Sequence, residues 1–198
     1  GGISMSGLAE ILNYEGFTIT GSDIKESGIT DSLRAQGIKV IIGQKAENIE
    51  DGTDLVVYTA AVKHDNPEML AAEAKGITVI ERATLLGAIM DRYKNSIAVS
   101  GTHGKTTTTS MISEIIMAAK LDPTITVGGI LQSINGNIRL GSSDYFIAEA
   151  CEYFDSFLQF KPFVGVILNV ESDHLDYFKS LANIRRSFHA FAERIPAK

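Results

Sequence analysis

The sequence predicts an α/β fold made of two doubly wound domains, and two observations support this prediction. Short apolar strand candidates alternate with helix candidates along the chain, which is typical of a parallel sheet covered by helices. A glycine-containing loop precedes a helix candidate twice, at the Gly1-Gly2 turn and at residues 101–104. Because the pattern restarts at the second loop, we predict a first domain at residues 1–94 and a second at residues 95–198.

Composition is that of an ordinary globular protein. Of the 198 residues, 44% are hydrophobic and 21% are charged. The formal net charge of −6 argues against a general nucleic-acid binder, which usually has a basic surface. No apolar run approaches the roughly 20 residues of a membrane-spanning helix. The one cysteine, Cys151, suits a reducing compartment. We therefore expect a cytoplasmic protein with neither nucleic-acid nor membrane partners.

The first half opens with a glycine turn that leads into an amphipathic helix, since apolar residues recur at helical spacing between residues 5 and 12. A short strand is predicted at residues 17–20, and Asp23 follows it about twenty residues after the glycines. In dinucleotide-binding folds such glycines approach a diphosphate, and the acid meets a ribose or base. Ser4 stands where the last glycine of that fingerprint would fall, so an ordinary βα turn stays open as the alternative.

The alternation of strands and helices continues through both halves. Further strands are predicted at residues 39–42, 55–58, 78–80, 97–99, 124–127, 145–148 and 163–168. Further helices are predicted at residues 30–36, 68–75, 82–92, 107–120 and 180–194. Asn66 and Pro67 mark the start of one helix and Gly76 its end, because these residue types favour helix termini. Residues 128–143, which are rich in Gly, Asn and Ser, are predicted to form a loop.

The second glycine loop has the build of a phosphate-binding loop. It joins a strand to a helix, and Gly104 is followed by Lys105 and Thr106. Backbone N–H groups and the helix dipole favour an anion there, the lysine can reach the β- and γ-phosphates, and the hydroxyl can ligate Mg²⁺. The loop is shorter than the general pattern because its first glycine is Gly101. An ordinary turn with a solvated lysine is the alternative, but four consecutive threonines at residues 106–109 favour phosphate binding.

Polar side chains follow three apolar strands of the second half. Lys105, Glu149 and His174 each lie just after such a strand. Because the carboxyl ends of parallel strands meet at one edge of a sheet, we expect these residues to converge. Phosphoryl transfer needs a lysine for phosphate charge and oxygen or imidazole ligands for a divalent metal. Taken alone, Glu149 could be a surface carboxylate and His174 a hydrogen-bonded loop histidine. Their occurrence together with Lys105 favours a phosphoryl-transfer site.

Three segments resemble motifs of the Mur ligases, the ATP-dependent amide-bond-forming enzymes of peptidoglycan synthesis. G-T-H-G-K-T-T-T-T at residues 101–109 looks like their ATP loop. A-E-A-C-E-Y at residues 148–153 and N-V-E-S-D-H-L-D at residues 169–176 are similar to two further motifs of their central domain. The opening G-G-I-S-M-S-G, with G-S-D at residues 21–23 and T-A-A at residues 59–61, is similar to the amino-terminal domain of the alanine-adding member.

The resemblance implies a Rossmann-like UDP-sugar-binding domain followed by a P-loop-type ATP-binding domain, each present only in part. It implies a ligase that uses ATP and Mg²⁺ to join L-alanine to UDP-N-acetylmuramate through an acyl phosphate. The implied ATP-binding residues are Gly101, Thr102, His103, Gly104, Lys105, Thr106 and Thr107. The implied metal ligands are Thr106, Glu149 and His174, and the implied catalytic residues are Lys105, Glu149 and His174. The implied substrate-binding residues are Gly1, Gly2, Ser4, Asp23 and Thr59.

Three alternative functions stay open at this point. A ligase that attaches recycled murein peptide to the same sugar nucleotide would share these motifs, because the resemblance places the choice of amine beyond Lys198. A non-catalytic nucleotide-binding module would also share them. An oxidoreductase with a nicotinamide site in the first half would leave the second glycine loop, Glu149 and His174 unexplained.

Overall fold

The computed structural model describes residues 2–196, so the predicted substrate residue Gly1 lies outside the described part of the chain. The chain divides into two compact units, Gly1–Leu85 and Leu86–Lys198. Strands and helices alternate in both, and the predicted α/β class is confirmed. Among the described residues, no helix has the length and apolar character needed to cross a membrane.

The first unit is built from two parallel strand pairs and the helices that connect them. Its elements are α1 (Ile3–Tyr14), β1 (Thr20–Asp23), α2 (Gly28–Ala35), β2 (Lys39–Ile42), β3 (Leu55–Tyr58), α3 (Pro67–Ala74) and β4 (Thr78–Glu81). Strand β1 pairs with β2, and β3 pairs with β4, both in parallel. The division between the units falls within the next helix, α4 (Arg82–Met90).

Local sequence explains where helices of the first unit begin. Ser27 caps α2 in a reciprocal arrangement with Thr30, each side chain accepting from the other residue's backbone N–H. Asn66 caps α3 by accepting from Glu68 N, and Pro67 occupies the first turn, where it leaves no donor unsatisfied. The Glu68 carboxylate then accepts 2.7 Å and 2.6 Å hydrogen bonds from the side chains of Ser22 and Asn48. This carboxylate therefore ties the start of α3 to β1.

The predicted position of the first strand is wrong by three residues. The sequence Phe-Thr-Ile-Thr at residues 17–20 predicts a strand there, but the observed strand runs from Thr20 to Asp23. Phe17 is 56% exposed, and the strand is defined by backbone pairing of Thr20 with Lys39 through Asp23 with Ile42. Pairing with β2, rather than the strand propensity of residues 17–20, sets its position.

The second unit contains a five-stranded sheet. Its elements after α4 are β5 (Asn95–Ser100), α5 (Lys105–Ala118), β6 (Thr124–Leu131), β7 (Gly136–Arg139), β8 (Tyr145–Glu149), β9 (Val164–Ile167), α6 (Leu175–Phe178) and α7 (Leu181–Ala192). The strand order is β7-β6-β8-β5-β9. The neighbours β6, β8, β5 and β9 are parallel, whereas β7 is antiparallel to β6. The carboxyl ends of β5, β8 and β9 therefore lie at one edge of the sheet.

The predicted loop at residues 128–143 is wrong in part. Strand β6 continues to Leu131, and β7 returns beside it as a hairpin. The turn contains a short 3₁₀ helix, Gln132–Ile134, and the following Asn135 has a φ of 51°, a left-handed conformation that asparagine tolerates. The Gly, Asn and Ser content predicts the turn correctly. The residues on either side of the turn form strands because they hydrogen-bond to each other across the hairpin. Most of the remaining predicted elements agree with the structure to within two residues.

Two apolar groups hold the second unit together. One joins the sheet to α5, and its buried members Ile125, Val127, Leu131 and Ile147 pack with Ile97, Ile112, Ile116, Met117 and Ile134. The other joins the segment Tyr153–Gln159, which is kinked at Phe154 and Asp155, to α7. The ring centroid of Phe157 lies 4.8 Å from that of Phe191 and 5.1 Å from that of Phe188. Burial of these side chains fixes the two segments that present the site: the start of α5 and the stretch after β8.

Candidate functional site

The centre of the candidate site is the loop between β5 and α5. Gly104 has a left-handed φ of 84°, which glycine adopts without strain, and Lys105 is the first residue of the helix. A Cβ at Gly101 would lie 3.0 Å from the Leu168 Cβ, which is tighter than most real Cβ contacts, so glycine lets the loop pass close to the residue that follows β9. The strand, glycine loop and helix predicted from residues 97–107 are therefore present.

Asn169, just after β9, holds this loop in place. Its side-chain oxygen accepts from His103 N at 2.9 Å, and its amide nitrogen donates to His103 O at 3.0 Å. Thr102 adds two further links, because its N–H donates to Asn169 O at 3.2 Å and its hydroxyl oxygen accepts from Glu171 N at 2.9 Å. Asn169 is the first residue of the N-V-E-S-D-H-L-D segment but was not predicted as a site residue.

Lys105 is turned toward the protein in this structure. Its Nζ donates to the carbonyl oxygens of Gly101 and Thr102, the latter at 3.2 Å. It also forms an ion pair with Glu152, at 2.9 Å from Oε2 and 3.1 Å from Oε1. Glu152 is only 2% exposed, so Lys105 is the counter-charge of a buried carboxylate. Glu152 was missed from the sequence; its signal is that it is the second acid of A-E-A-C-E-Y.

His174 lies next to the same carboxylate. Its Nε2 is 3.7 Å from Glu152 Oε1, and its backbone φ is 49°, just before α6. Its ring stacks on that of Tyr153, with centroids 4.2 Å apart and planes inclined by 21°. The Tyr153 hydroxyl donates to the Asp176 carboxylate at 2.6 Å. This bond lowers the pKa of Asp176 and raises the pKa of Tyr153, because it favours the ionised acid and the protonated phenol.

Glu149 occupies a different position, at the end of β8. Its Oε1 accepts from Gly128 N at 2.7 Å, and a Cβ at Gly128 would lie 2.8 Å from its Oε2. A Cβ at Gly129 would lie 3.2 Å from Cγ2 of Thr106. The two glycines of β6 therefore make room for the side chains of Glu149 and Thr106. A carboxylate and a hydroxyl are hard oxygen ligands, which Mg²⁺ prefers, so this donor set fits the metal implied by the resemblance.

The structure brings some of the predicted site residues together. Lys105 and His174 share the carboxylate of Glu152, whereas Thr106 and Glu149 flank the glycine pair of β6. Within residues 2–196, no group of three His, Cys, Asp or Glu side chains is arranged to hold a metal ion. A metal in this site would accordingly rely on ligands of other kinds as well, such as the threonine hydroxyl, phosphate oxygens or water.

The predicted substrate residues of the first unit that the structure describes lie at or near element ends. Gly2 precedes α1 with a φ of 83°, and its carbonyl accepts from the first turn of the helix. Ser4 is exposed in that turn. Asp23 ends β1 and accepts from Lys25 N at 3.3 Å. Thr59 follows β3, and its carbonyl accepts from a backbone N–H three residues later at 2.9 Å.

Comparison with protein families gives two matches. Residues 1–94 match the "Mur ligase family, catalytic domain" model, and residues 99–198 match the "Mur ligase middle domain" model. The UDP-N-acetylmuramate–L-alanine ligase of Agathobacter rectalis is 66% identical over 192 residues, which is 97% of this chain and 42% of the relative. The enzyme of that name from Acetivibrio thermocellus is 60% identical over 196 residues, covering 99% of this chain and 42% of the relative. The chain thus spans less than half the length of these relatives.

Solved structures show the same similarity. The UDP-N-acetylmuramate-alanine ligase of Thermotoga maritima superposes with a TM-score of 0.89 at 34% identity, covering 98% of this chain and 46% of that one. The UDP-N-acetylmuramate:L-alanyl-γ-D-glutamyl-meso-diaminopimelate ligase of Neisseria meningitides superposes with a TM-score of 0.91 at 30% identity, covering 100% of this chain and 67% of that one. The two family matches, the relatives and the superpositions agree with the loop geometry: the chain belongs to the Mur ligase family.

Proposed function

We propose that this chain is part of an ATP-dependent ligase that adds L-alanine to UDP-N-acetylmuramate through an acyl phosphate. The observation that carries the proposal is the loop of residues 101–104, which ends in Lys105 at the start of α5 and is held by Asn169. The relatives named as UDP-N-acetylmuramate–L-alanine ligases, at up to 66% identity, support the choice of substrates. We place the enzyme in the cytoplasm, for which the single cysteine is suited.

In the second unit, residues 101–107 would bind the phosphates of ATP. Backbone N–H groups of the loop and the amino terminus of the 14-residue helix α5 favour a polyanion there. The Lys105 ammonium would move from Glu152 to the transferring phosphate, whose charge it would stabilise. Thr106 and Glu149 would hold Mg²⁺, which neutralises charge that develops on the phosphates. His174 would bind a second metal near the acyl phosphate.

In the first unit, the proposal assigns the UDP-sugar to residues at element ends. Gly1, Gly2 and Ser4 would face the diphosphate at the amino terminus of α1, where the helix dipole favours an anion. Asp23 would contact the uridine, and Thr59 would line the same substrate after β3. The domain limits that we propose are residues 1–94 for UDP-sugar binding and residues 95–198 for ATP binding.

The second candidate is a ligase that attaches a murein peptide to the same sugar nucleotide. This candidate is supported by the superposition on the Neisseria meningitides peptide ligase, which has a TM-score of 0.91 over the full chain. The full-length protein should be assayed with UDP-N-acetylmuramate, ATP, Mg²⁺ and either L-alanine or the tripeptide. Product and phosphate with L-alanine support the main proposal, and product only with tripeptide supports the second. Nucleotide binding without product in either assay would leave a non-catalytic module.

The isolated 198-residue chain should form no product. The relatives are more than twice as long as this chain, and we assign the amine site to the remaining part. Without that part, an acyl phosphate would be exposed to water and no group would orient the attacking amine. Incubation with ATP, Mg²⁺ and both substrates should release no ligation product, although weak nucleotide binding at the loop should survive. Product formed near the full-length rate would contradict this assignment.

A further inference from the structure

Glu152 has an environment that none of the predicted roles explains. Its carboxylate is 2% exposed and lies between two residues of the candidate site. Lys105 Nζ is 2.9 Å from Oε2, and His174 Nε2 is 3.7 Å from Oε1. Glu152 is therefore in direct contact with the phosphate-loop lysine and next to the histidine. A carboxylate this deeply buried needs a charged or hydrogen-bonding partner at all times.

Lys105 cannot serve this carboxylate and a phosphate without giving up a contact. An ammonium has three N–H donors. In this structure they are directed at Gly101 O, at Thr102 O and at the Glu152 carboxylate. An ATP phosphate that takes one of these donors displaces an acceptor that the protein supplies. The acceptor whose loss matters most is Glu152, because it is charged and buried.

His174 is placed to take over as the partner of Glu152. Its Nε2 is 3.7 Å from the carboxylate, just beyond hydrogen-bond distance, so a shift of a few tenths of an ångström closes the gap. The stacked ring of Tyr153, 21° from parallel, permits such a shift within the imidazole plane. A neutral imidazole with a proton on Nε2 can donate this bond, so no change in protonation is required.

We propose that Glu152 is a positioning residue that exchanges partners during the reaction. Without nucleotide it holds Lys105 back on the loop, and when Lys105 moves to the phosphate it draws in His174. Nucleotide binding at the loop is thereby linked to the position of the histidine, on the side of the site where we place the acyl phosphate. The proposal rests on the proposed ligase function of this site.

The variant that tests the exchange is Glu152→Gln in the full-length protein. It keeps the shape of the side chain but removes the charge that competes with phosphate for Lys105. We expect the Kd for a non-hydrolysable ATP analogue with Mg²⁺ to fall by roughly tenfold, since charge-assisted hydrogen bonds are about twice as strong as neutral ones. We expect kcat to fall by about 10- to 100-fold, because His174 loses the group that positions it. A residue that only supports the fold would weaken binding and turnover together.

Asp155→Asn is the matched control. It makes the same chemical change three residues along the chain, at a carboxylate that accepts from Tyr177 Oη at 2.6 Å and from Ser187 Oγ. We expect this variant to unfold more easily and to bind the analogue with a Kd within about twofold of the wild type. Tighter binding in Asp155→Asn would mean that loss of any nearby negative charge favours ATP, and it would overturn the specific role of Glu152.

A double-mutant cycle with Lys105→Ala makes the test decisive. If Glu152 acts by competing for the lysine, Glu152→Gln should not tighten analogue binding once Lys105 is absent. Unchanged or weaker binding in Glu152→Gln, in a preparation whose wild type ligates normally, would overturn the inference. Absence of ligation by the wild type would instead refute the proposed function. If circular dichroism shows that Glu152→Gln does not fold, Glu152→Asp replaces it, because the shorter side chain moves the carboxylate away from Lys105. Tighter binding of the ATP analogue by Glu152→Asp supports the exchange, and unchanged binding overturns it.

Discussion

Replacing Lys105 should destabilise the second unit as well as stop catalysis. Lys105→Met keeps the length and apolar stem of the side chain but removes the ammonium. Glu152, at 2% exposure, then loses the counter-charge that lies 2.9 Å from its Oε2. Removing one partner of a buried ion pair costs about 3–5 kcal/mol, because the other charge stays buried and unpaired. The cost for this pair should lie at the lower end of that range, because the Lys105 side chain is 17% exposed and His174, 3.7 Å from Glu152 in this structure, can move in as a neutral partner.

We therefore expect Lys105→Met to lower the free energy of unfolding by about 3 kcal/mol. The double variant Lys105→Met/Glu152→Gln replaces both charges with neutral groups of similar size, and its stability should return to within about 1 kcal/mol of the wild type. Ligation by the full-length protein should fall by a factor on the order of 10³ in both variants, because each lacks the cation that we propose for the transferring phosphate. Stability and activity thus separate in the double variant.

Urea unfolding of the 198-residue chain measures the stability difference. The chain has 6 tyrosines and no tryptophan, so tyrosine emission and far-UV circular dichroism are suitable signals. Because the chain forms two units, the transitions should be fitted separately. Hydrogen exchange in peptides that contain α5 should show that the loss is in the second unit. A single variant within about 1 kcal/mol of the wild type would refute the reasoning that Glu152 depends on Lys105.

Three further predictions concern neighbouring contacts. Gly128→Ala should raise the Mg²⁺ concentration for half-maximal ligation severalfold with little loss of stability, because the new Cβ would lie 2.8 Å from Oε2 of the flexible Glu149 side chain. Gly136→Ala is the control, since its Cβ would meet its nearest atom only at 3.8 Å. Equal Mg²⁺ requirements in the two variants would contradict the assignment of Glu149 as a metal ligand. Tyr153→Phe keeps the ring stacked on His174 and should retain kcat within about threefold, whereas Tyr153→Ala should lower kcat roughly tenfold. Equal losses of kcat in the two variants would show that the hydroxyl, and not the stacked ring, matters. Hydrogen bonds from Ser142 and Arg139 hold the pKa of Asp122 below its usual value. The ionised carboxylate therefore stabilises the fold above about pH 4, and this stabilisation is lost as the pH falls below that value. The urea midpoint of Asp122→Asn should consequently drop less between pH 6 and pH 3 than that of the wild type.

The sequence by itself determined the fold class and the central loop. The alternation of strands and helices is a local pattern, because burial on a sheet or helix face repeats every few residues. The position of Lys105 at the start of a helix is also local, since Gly104 supplies a left-handed turn and the apolar residues of α5 follow at once. For these reasons most element limits and the Lys105 loop could be predicted from short segments.

The tertiary structure decided which distant residues meet. The limits of β1 and the β6–β7 hairpin depend on pairing with other strands, which no local pattern reports. The partner of Lys105 is Glu152, which lies 47 residues later in the chain. Periodicity in the sequence indicates that a residue is buried, but it does not indicate which charged groups form an ion pair. Only the packing of β8 and the following segment beside the loop brings this carboxylate between the lysine and His174.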